Sequence, residues 1–338
     1  MFEFTLSQAL NSVPTVSPSQ IAKWHDCRKA WEYSYRQQLR KTGGSTFYMD
    51  RGTYFHRLLH YYYHLLEAGF KPGTPTVINA MEQKIQEDLK ELTVDNVKIL
   101  STTLPHFSNY FSNHSASLDK NIKVVGVEKE LFLFKLTPKG RGVFLHGIVD
   151  LIFRNTYGKL KVLDHKTGER ADTWSDGKVD MELQLYFYQL LVEGNFGEPV
   201  DEVGINFINL AKNPEHRFQQ YGVHHSIAQL KEFERELLMI IDLMFDEQIY
   251  RRYNKDCKKC SFFRICNMEQ QGLNPAAVIS TGYERSNRKP SVISQLELRT
   301  GTEEGAALSG LPNRNEETTT NGPNLSGWDL NLNLNIGR

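Results

Sequence analysis

The middle of the chain changes from a helical to a strand-like pattern, and this change limits the fold more than any other feature. Residues 124–136 and 143–153 are rich in β-branched and aromatic residues, and a Pro- and Gly-containing turn segment separates them. Similar shorter runs cover residues 160–166 and 203–210. Helical patterns precede, separate and follow these runs. The order predicts an α/β (α+β) fold with a mixed central sheet flanked by helices.

The helical patterns and the composition also predict the domain boundaries. Helices are expected over residues 18–38, 51–68, 77–93, 180–194 and 226–249, with a looser stretch from 94 to 120. Residues 1–16 form a leader without periodicity, and residues 17–271 form one domain. From residue 272 to 338, Ser, Thr, Asn, Gly and Glu dominate, which is typical of a disordered tail. Its alternating Leu and Asn residues at 330–335 could alternatively form a strand on a partner.

Charge and hydropathy exclude two classes of protein. The chain has 338 residues, with 40 Lys and Arg against 40 Asp and Glu, so it is not a basic chain that coats nucleic acid by charge alone. A local basic groove stays compatible with this balance. No run of about 18 apolar residues is present, so no membrane-spanning helix is predicted. The N-terminus lacks the pattern of a secretory signal, and a cytoplasmic location is therefore expected.

Two acidic residues occur near the ends of neighbouring predicted strands. Asp150 lies late in one strand, and Asp164-His165-Lys166 ends the next. The two carboxylates can converge, and their oxygens suit Mg²⁺ or Mn²⁺. Lys166 lies two residues after Asp164 and therefore points to the same face of the strand. This set is suited to phosphodiester hydrolysis. Alternatively, an Asp-x-Lys at a strand end is a solvated edge, and Asp150 is a turn acceptor.

Four short segments carry a resemblance to a known family. They are RGTYFH at 51–56, GIVD at 147–150, DHKTG at 164–168 and QLYFY at 184–188. In this order, the chain resembles the RecB-like branch of the PD-(D/E)XK nucleases over about residues 17–270. It is most similar to members with an iron–sulfur cluster, including the AddB nuclease domain and small CRISPR-adaptation exonucleases. The resemblance implies a restriction-endonuclease-like core.

The resemblance implies roles for individual positions. The carboxylates of Asp150 and Asp164, the side chain of His56 and the backbone carbonyl of His165 would bind Mg²⁺ or Mn²⁺. Lys166 would be the catalytic lysine.

Further positions come from the helix that follows these strands and from the strand that precedes them. Gln184 and Tyr188, four residues apart on one helix face, would line the site beside Asp150, Asp164 and Lys166. Glu128 would be an additional acid, with Glu130 as its competitor. The spacing of His56, His60 and His64 could by itself suggest a zinc site, although such a stripe is more often a polar helix face.

The chain has four cysteines: Cys27 alone, followed by Cys257, Cys260 and Cys266 close together. Four thiolates can hold a [4Fe–4S] cluster or Zn²⁺. One distant cysteine with a compact triplet resembles the iron–sulfur nucleases, so the cluster is favoured over zinc. Such a site would join the N- and C-terminal segments and close a long loop. Basic and aromatic residues surround the cysteines, either as a track for single-stranded DNA or as packing and solvated charge.

These features predict a metal-dependent DNA nuclease that acts as an exonuclease on single strands or DNA ends, in recombination, repair or CRISPR-type adaptation. No P-loop motif is present, so the nuclease would act alone or beside a helicase or a recombination or adaptation protein. The alternative is a non-catalytic or partner-activated DNA-binding subunit of such a complex.

Overall fold

A computed structural model describes residues 13–43, 47–90, 94–116, 119–169, 176–211, 218–246 and 249–285. The strands are β1 (Thr15–Val16), β2 (Leu39–Lys41), β3 (Lys123–Leu136), β4 (Gly142–Arg154), β5 (Leu160–Gly168), β6 (Glu202–Asn209), β7 (Phe218–Val223) and β8 (Tyr283–Arg285). The helices are α1 (Pro18–Asp26), α2 (Arg28–Trp31), α3 (Phe47–Glu67), α4 (Pro75–Lys90), α5 (Val94–Ala116), α6 (Asp176–Asp180), α7 (Leu183–Phe196), α8 (Ile227–Asp246), α9 (Phe263–Gln270) and α10 (Ala276–Gly282).

The main sheet is mixed, as the strand pattern predicts. It has six strands in the order β1-β4-β5-β6-β7, with β3 also paired to β4. β3, β4 and β5 pair antiparallel in sequence, and β5 then pairs parallel to β6. A parallel pair needs a crossover connection, which here includes α7. The expected α/β fold, with a mixed central sheet between helices, is confirmed.

The sheet lies between two hydrophobic cores. One core packs α1, α7 and α8 against the sheet, and the other packs α3, α4 and α5. Val162 and Leu163 are neighbours on β5 but belong to different cores, because successive side chains of a strand point to opposite faces. Residues on β5 can therefore be held from both sides.

Three elements differ from the sequence-based expectation. The looser stretch before residue 120 is the long helix α5, whose Leu104, Phe107 and Phe111 are buried in the second core despite many Ser, Thr and Asn neighbours. The first helix is interrupted at Cys27, whose backbone is extended with φ −166°. The strand β7 was not expected, because its side chains are only half-buried.

The domain boundaries also differ from those expected. Val16, in the expected leader, is fully buried and pairs with Leu145 of β4. At the other end, α10 and β8 continue the structure beyond residue 271, and β8 pairs antiparallel with β2. Residues 1–12 and 286–338 lie outside the described residues. Among the helices that are described, none is long and apolar enough to span a bilayer.

Candidate active site

Asp150 and Asp164 lie opposite each other at the point where β4 and β5 separate. The β4–β5 register ends at the pair Leu151 and Leu163, so the next two opposed residues are Asp150 and Asp164. β5 continues beyond this point beside β6 as far as Gly168. The fork between β4 and β5 therefore places the two carboxylates next to each other, with Lys166 further along the same strand.

Asp150 is held by the backbone of the opposite strand. Its Oδ2 accepts a hydrogen bond from the N–H of His165 at 2.8 Å. The Nδ1 atom of His56, on α3, lies 3.8 Å from the same oxygen. The first predicted helical motif thus places His56 beside the fork between the strands.

Asp164 and Lys166 form an ion pair, which the amide of Gln184 joins. Lys166 Nζ lies 2.7 Å from Asp164 Oδ2 and donates to Gln184 Oε1 at 2.9 Å. Gln184 Nε2 in turn donates to Asp164 Oδ1 at 3.1 Å and to the Tyr188 hydroxyl oxygen at 2.7 Å. The four side chains form one connected polar group at the start of α7.

Burial sets the electrostatics of the two carboxylates. Loss of solvation raises the pKa of Asp150 to about 6, although the N–H of His165 and the charge of Lys166 act in the opposite direction. Burial likewise raises the pKa of Asp164 to about 7, opposed by Lys166 and reinforced by Asp150. The raised pKa values mean that the positive charge near the two carboxylates does not compensate for the solvation that they lose.

Glu128 reaches the same region through an unusual backbone conformation. It stands between the β3 residues that pair with Val149 and Leu151, and its φ is +40°. A side chain in the left-handed region costs free energy, which makes this position strained. Its carboxylate lies 3.2 Å from Nδ1 of His60, and its charge contributes to the raised pKa of Asp150.

The alternative acid, Glu130, has another partner. Its Oε1 lies 2.8 Å from Nε2 of His146. Of the histidine stripe on α3, His60 faces Glu128 and His64 faces Glu67, at 2.9 Å. The three histidines of the stripe therefore have three different carboxylate neighbours.

Two glycines of the sequence motifs allow the helices to approach the fork. A Cβ on Gly52 would lie 2.7 Å from Oγ1 of Thr167, the residue that follows Lys166. A Cβ on Gly147 would lie 3.1 Å from the ring of Tyr188. Any larger residue would have to displace Thr167 or Tyr188, both of which lie next to the residues of the fork.

A buried polar network below the fork was missed by sequence reasoning. His165 Nδ1 lies 2.9 Å from Asn206 Nδ2 on β6, and the ring of Tyr63 stacks on the imidazole at 5.5 Å. Asn206 also donates to the Tyr110 hydroxyl at 2.9 Å. The network fixes the ring of His165, whose backbone holds Asp150. A polar Asn inside the apolar run 203–210 was the available signal.

Three of the four cysteines contact one small core between the chain ends. Cys27, Cys260 and Cys266 pack against the core that includes Tyr33 and Phe262. Burial raises the pKa of Cys260, with further contributions from Cys27 and Cys266. The Sγ of Cys257 instead lies 3.6 Å from the carbonyl oxygen of Arg252.

Protein contacts also join the N- and C-terminal segments in this region. The Tyr33 hydroxyl donates to Glu269 at 2.7 Å, and Arg252 donates to the carbonyl of His25 at 2.7 Å. Across the described ranges, no group of three or more His, Cys, Asp or Glu side chains is placed so that it could hold a metal ion. The structure thus brings Asp150, Asp164, Lys166, Gln184 and Tyr188 together, with His56 adjacent. Neither the acids with His56 nor the four cysteines form a preformed metal site within the described residues.

A comparison with known protein families shows which family the chain belongs to. The family profile described as the PD-(D/E)XK nuclease superfamily matches residues 15–267, which is most of the chain. The chain belongs to the PD-(D/E)XK nuclease superfamily. In this superfamily, nucleases generally use Mg²⁺ or Mn²⁺. No curated protein is similar enough to this PD-(D/E)XK nuclease to match it.

The solved structures that are similar to this superfamily member include the following two. One, named SSO0001, has 17% sequence identity and a TM-score of 0.36, and the similarity covers 77% of this chain and 91% of the other. The second, from Eubacterium rectale, is provisionally named an exonuclease. It has 12% identity and a TM-score of 0.43, with 78% of this chain and 94% of the other covered.

Proposed function

We propose that the protein is a metal-dependent DNA nuclease that degrades single strands or DNA ends as an exonuclease. The observation that carries the proposal is the cluster of Asp150, Asp164 and Lys166 at the fork between β4 and β5. Membership of a nuclease superfamily supports the hydrolytic chemistry. The proposed roles in recombination, repair or CRISPR-type adaptation, and a helicase or adaptation partner, come from the sequence resemblance.

The residues of the fork offer the oxygen and nitrogen donors that a divalent cation binds, although their side chains are not gathered into a preformed site in the described part of the chain. Loss of solvation raises the pKa of both the half-buried Asp150 and the buried Asp164, and the neighbour of Asp164 Oδ2 is the Lys166 ammonium at 2.7 Å. Asp150, Asp164, His56 and the backbone carbonyl of His165 would hold Mg²⁺ or Mn²⁺. A bound cation of this kind activates water and stabilises charge on the phosphate.

The protein's own groups would orient the substrate and supply positive charge. Lys166 would contact the scissile phosphate, where its ammonium group stabilises the negative charge that develops during hydrolysis. Gln184 holds that ammonium group through Oε1 at 2.9 Å. Tyr188 would line the site beside it, and Glu128 would add a further carboxylate near His60.

The proposal extends to the cysteines, which would bind a [4Fe–4S] cluster, with Zn²⁺ as the alternative. Support comes from the shared core around Cys27, Cys260 and Cys266. The four thiols do not converge on one point in the structure, so binding would require Cys257 to leave its contact with the carbonyl oxygen of Arg252. Quantification of iron, acid-labile sulfide and zinc in anaerobically purified wild type and Cys27→Ser distinguishes these cases. Absence of all three elements in the wild type would refute the cysteine site.

The nuclease is tested with end-labelled single-stranded DNA, double-stranded DNA and RNA, in Mg²⁺ or Mn²⁺. We expect cation-dependent DNA degradation that Lys166→Ala abolishes. Lys161→Ala is the matched control, because Lys161 lies on the same strand but pairs with Glu202 at 3.1 Å. The product ladder reports exonuclease or endonuclease action. DNA binding without cleavage by folded wild type would instead support a non-catalytic or partner-activated subunit.

A further inference from the structure

The segment of residues 250–264 forms an exposed basic surface, referred to here as the 250–264 surface. Its exposed basic side chains are those of Arg252, Lys255, Lys258, Lys259 and Arg264, and its one acidic residue is Asp256. Within the described parts of the chain, no ion pair involves the last four of these basic residues. The whole chain has a formal net charge of zero, so this positive charge is a local feature.

Aromatic rings are exposed on the same surface. Tyr250 is 55% exposed, Tyr253 is 70% exposed and Phe263 is 46% exposed. Exposed rings among cations are the combination by which proteins bind single strands, and of the three rings Tyr253 is the most exposed. Positive charge contacts the phosphates, and the rings contact the flat faces of the bases. Base faces are free in a single strand but already stacked inside a duplex, which favours a single-stranded ligand.

The 250–264 surface is anchored to α1 and α2, and α1 packs in the same core as α7 of the candidate active site. Arg252 donates to the carbonyl of His25 on α1 at 2.7 Å. The guanidinium of Arg28 lies 4.4 Å from the Tyr250 ring centroid and 4.8 Å from that of Trp24. Trp24 packs in the same core as α7, the helix that carries Gln184 and Tyr188.

We propose that the 250–264 surface binds the unpaired strand of a single-stranded DNA substrate. The inference rests on the proposed nuclease function, since it assigns that enzyme a strand-binding surface outside its catalytic fork. Basic side chains there would neutralise phosphates, and Tyr253 would stack on a base.

The test measures binding separately from cleavage. Fluorescence anisotropy of labelled oligothymidylate is recorded across a salt series in EDTA, for the wild type and for Lys255→Gln/Lys258→Gln/Lys259→Gln. The plot of log affinity against log salt has a negative slope, and each lost phosphate contact reduces its magnitude by about 0.7 for a single strand. The magnitude should therefore be smaller by about 2 in the triple variant. Lys90→Gln/Lys120→Gln/Lys159→Gln is the charge-matched control at exposed lysines elsewhere, and its slope should equal that of the wild type.

A second variant tests the aromatic contribution. Tyr253→Leu should weaken oligothymidylate binding by about five- to a hundredfold, whereas Tyr253→Phe should retain it, because the stacking ring is preserved. A duplex of the same length should respond less to Tyr253→Leu. The assignment to single-stranded DNA would be overturned if Tyr253→Leu weakened binding of the duplex as much as binding of oligothymidylate. It would also be overturned if the variant weakened binding of polyglutamate, a polyanion without bases, more than binding of oligothymidylate.

Lys258 and Lys259 lie between Cys257 and Cys260, so substituting them could alter metal binding by the cysteines. If the metal content of the triple variant differs from the wild type, Lys255→Gln/Arg264→Gln replaces it, with an expected slope loss of about 1.4. An unchanged slope in a metal-matched variant would overturn the proposal. This outcome is independent of cleavage: a protein that cleaves DNA but shows an unchanged slope retains the proposed function and loses only this surface.

Discussion

Gln184 Oε1 accepts a hydrogen bond from Lys166 Nζ at 2.9 Å. The other end of the same amide donates to Asp164 and to Tyr188. One side chain on α7 therefore fixes the lysine relative to its acid. The arrangement gives Gln184 a positioning role in the proposed nuclease and leaves Tyr188 at the outer end of the hydrogen-bond chain.

The first prediction concerns this amide. Gln184→Leu should lower the single-turnover cleavage rate by about 10- to 100-fold, the range typical of residues that orient metal-site groups. Tyr188→Phe should have a smaller effect, because Lys166 keeps its contact with Gln184. The matched control is Tyr186→Phe, since Tyr186 lies on the same helix and stacks on His225 at 3.6 Å. A Gln184→Leu enzyme with the wild-type rate would contradict the positioning role.

The second prediction uses the strained backbone of Glu128. Glu128→Gly and Glu128→Ala both remove the carboxylate, but only glycine adopts φ +40° at little cost. The glycine variant should therefore have a free energy of unfolding about 1 kcal/mol higher than the alanine variant. Denaturant unfolding of the two proteins measures this difference. Equal stabilities would show that the left-handed conformation at this position stores no strain.

The two variants should nevertheless share one functional consequence. If Glu128 is the additional acid, both should need more Mn²⁺ for half-maximal DNA cleavage than the wild type. Glu130→Gln provides the comparison, because Glu130 faces His146 rather than the fork. A larger metal effect from Glu130→Gln than from the Glu128 variants would favour the competing assignment.

The third prediction concerns a buried acid outside the fork. Asp119 accepts hydrogen bonds from the hydroxyls of Tyr62 and Tyr63, and burial raises its pKa to about 6. The folded state thus retains a proton that the unfolded state releases near pH 4. The contribution of Asp119 to stability is fully present below about pH 4 and is lost as the pH rises through about 6.

Asp119→Asn should remove this dependence. The free energy of unfolding of the variant, minus that of the wild type, should increase by up to about 3 kcal/mol between pH 4 and pH 6. The difference isolates Asp119, because His114, whose pKa burial lowers to about 4, is present in both proteins. Denaturation at several pH values measures it, and parallel curves for the two proteins would contradict the prediction.

Much of the fold could be predicted because its signals are local. Strands β3, β4 and β5 have long β-rich runs, and α8 has a clear apolar face, so their positions follow from periodicity. Helix α7 is instead apolar over most of its length. Helix α5 could not be predicted in this way, since its Ser-, Thr- and Asn-rich sequence is stabilised by packing of residues such as Phe107. Strand β1 depends on pairing with β4, a contact with residues more than a hundred positions away.

In the candidate site, too, some features follow from local sequence patterns and others depend on contacts between distant segments. Alternation along β5 places Asp164 and Lys166 on one face, and the structure joins them directly. The role of His165 as the backbone donor to Asp150 depends on how β4 and β5 separate, which no local pattern encodes. The contacts of its ring with Asn206 and Tyr63 likewise depend on the packing of β6 and α3. Catalytic and metal-binding roles for these residues stay predictions until activity is measured.

The last prediction concerns the end of the domain. A chain truncated after Arg285 should keep the stability of the described fold, whereas one truncated after Gln271 should lose about 2 kcal/mol or more. The shorter chain lacks Val278, Ile279 and Tyr283, which pack against the core that contacts the cysteines. It also lacks the β8 strand that pairs with Leu39 and its neighbours on β2. Thermal and denaturant unfolding of both truncations measure the difference, and equal stabilities would place the end of the domain at Gln271, where the composition changes.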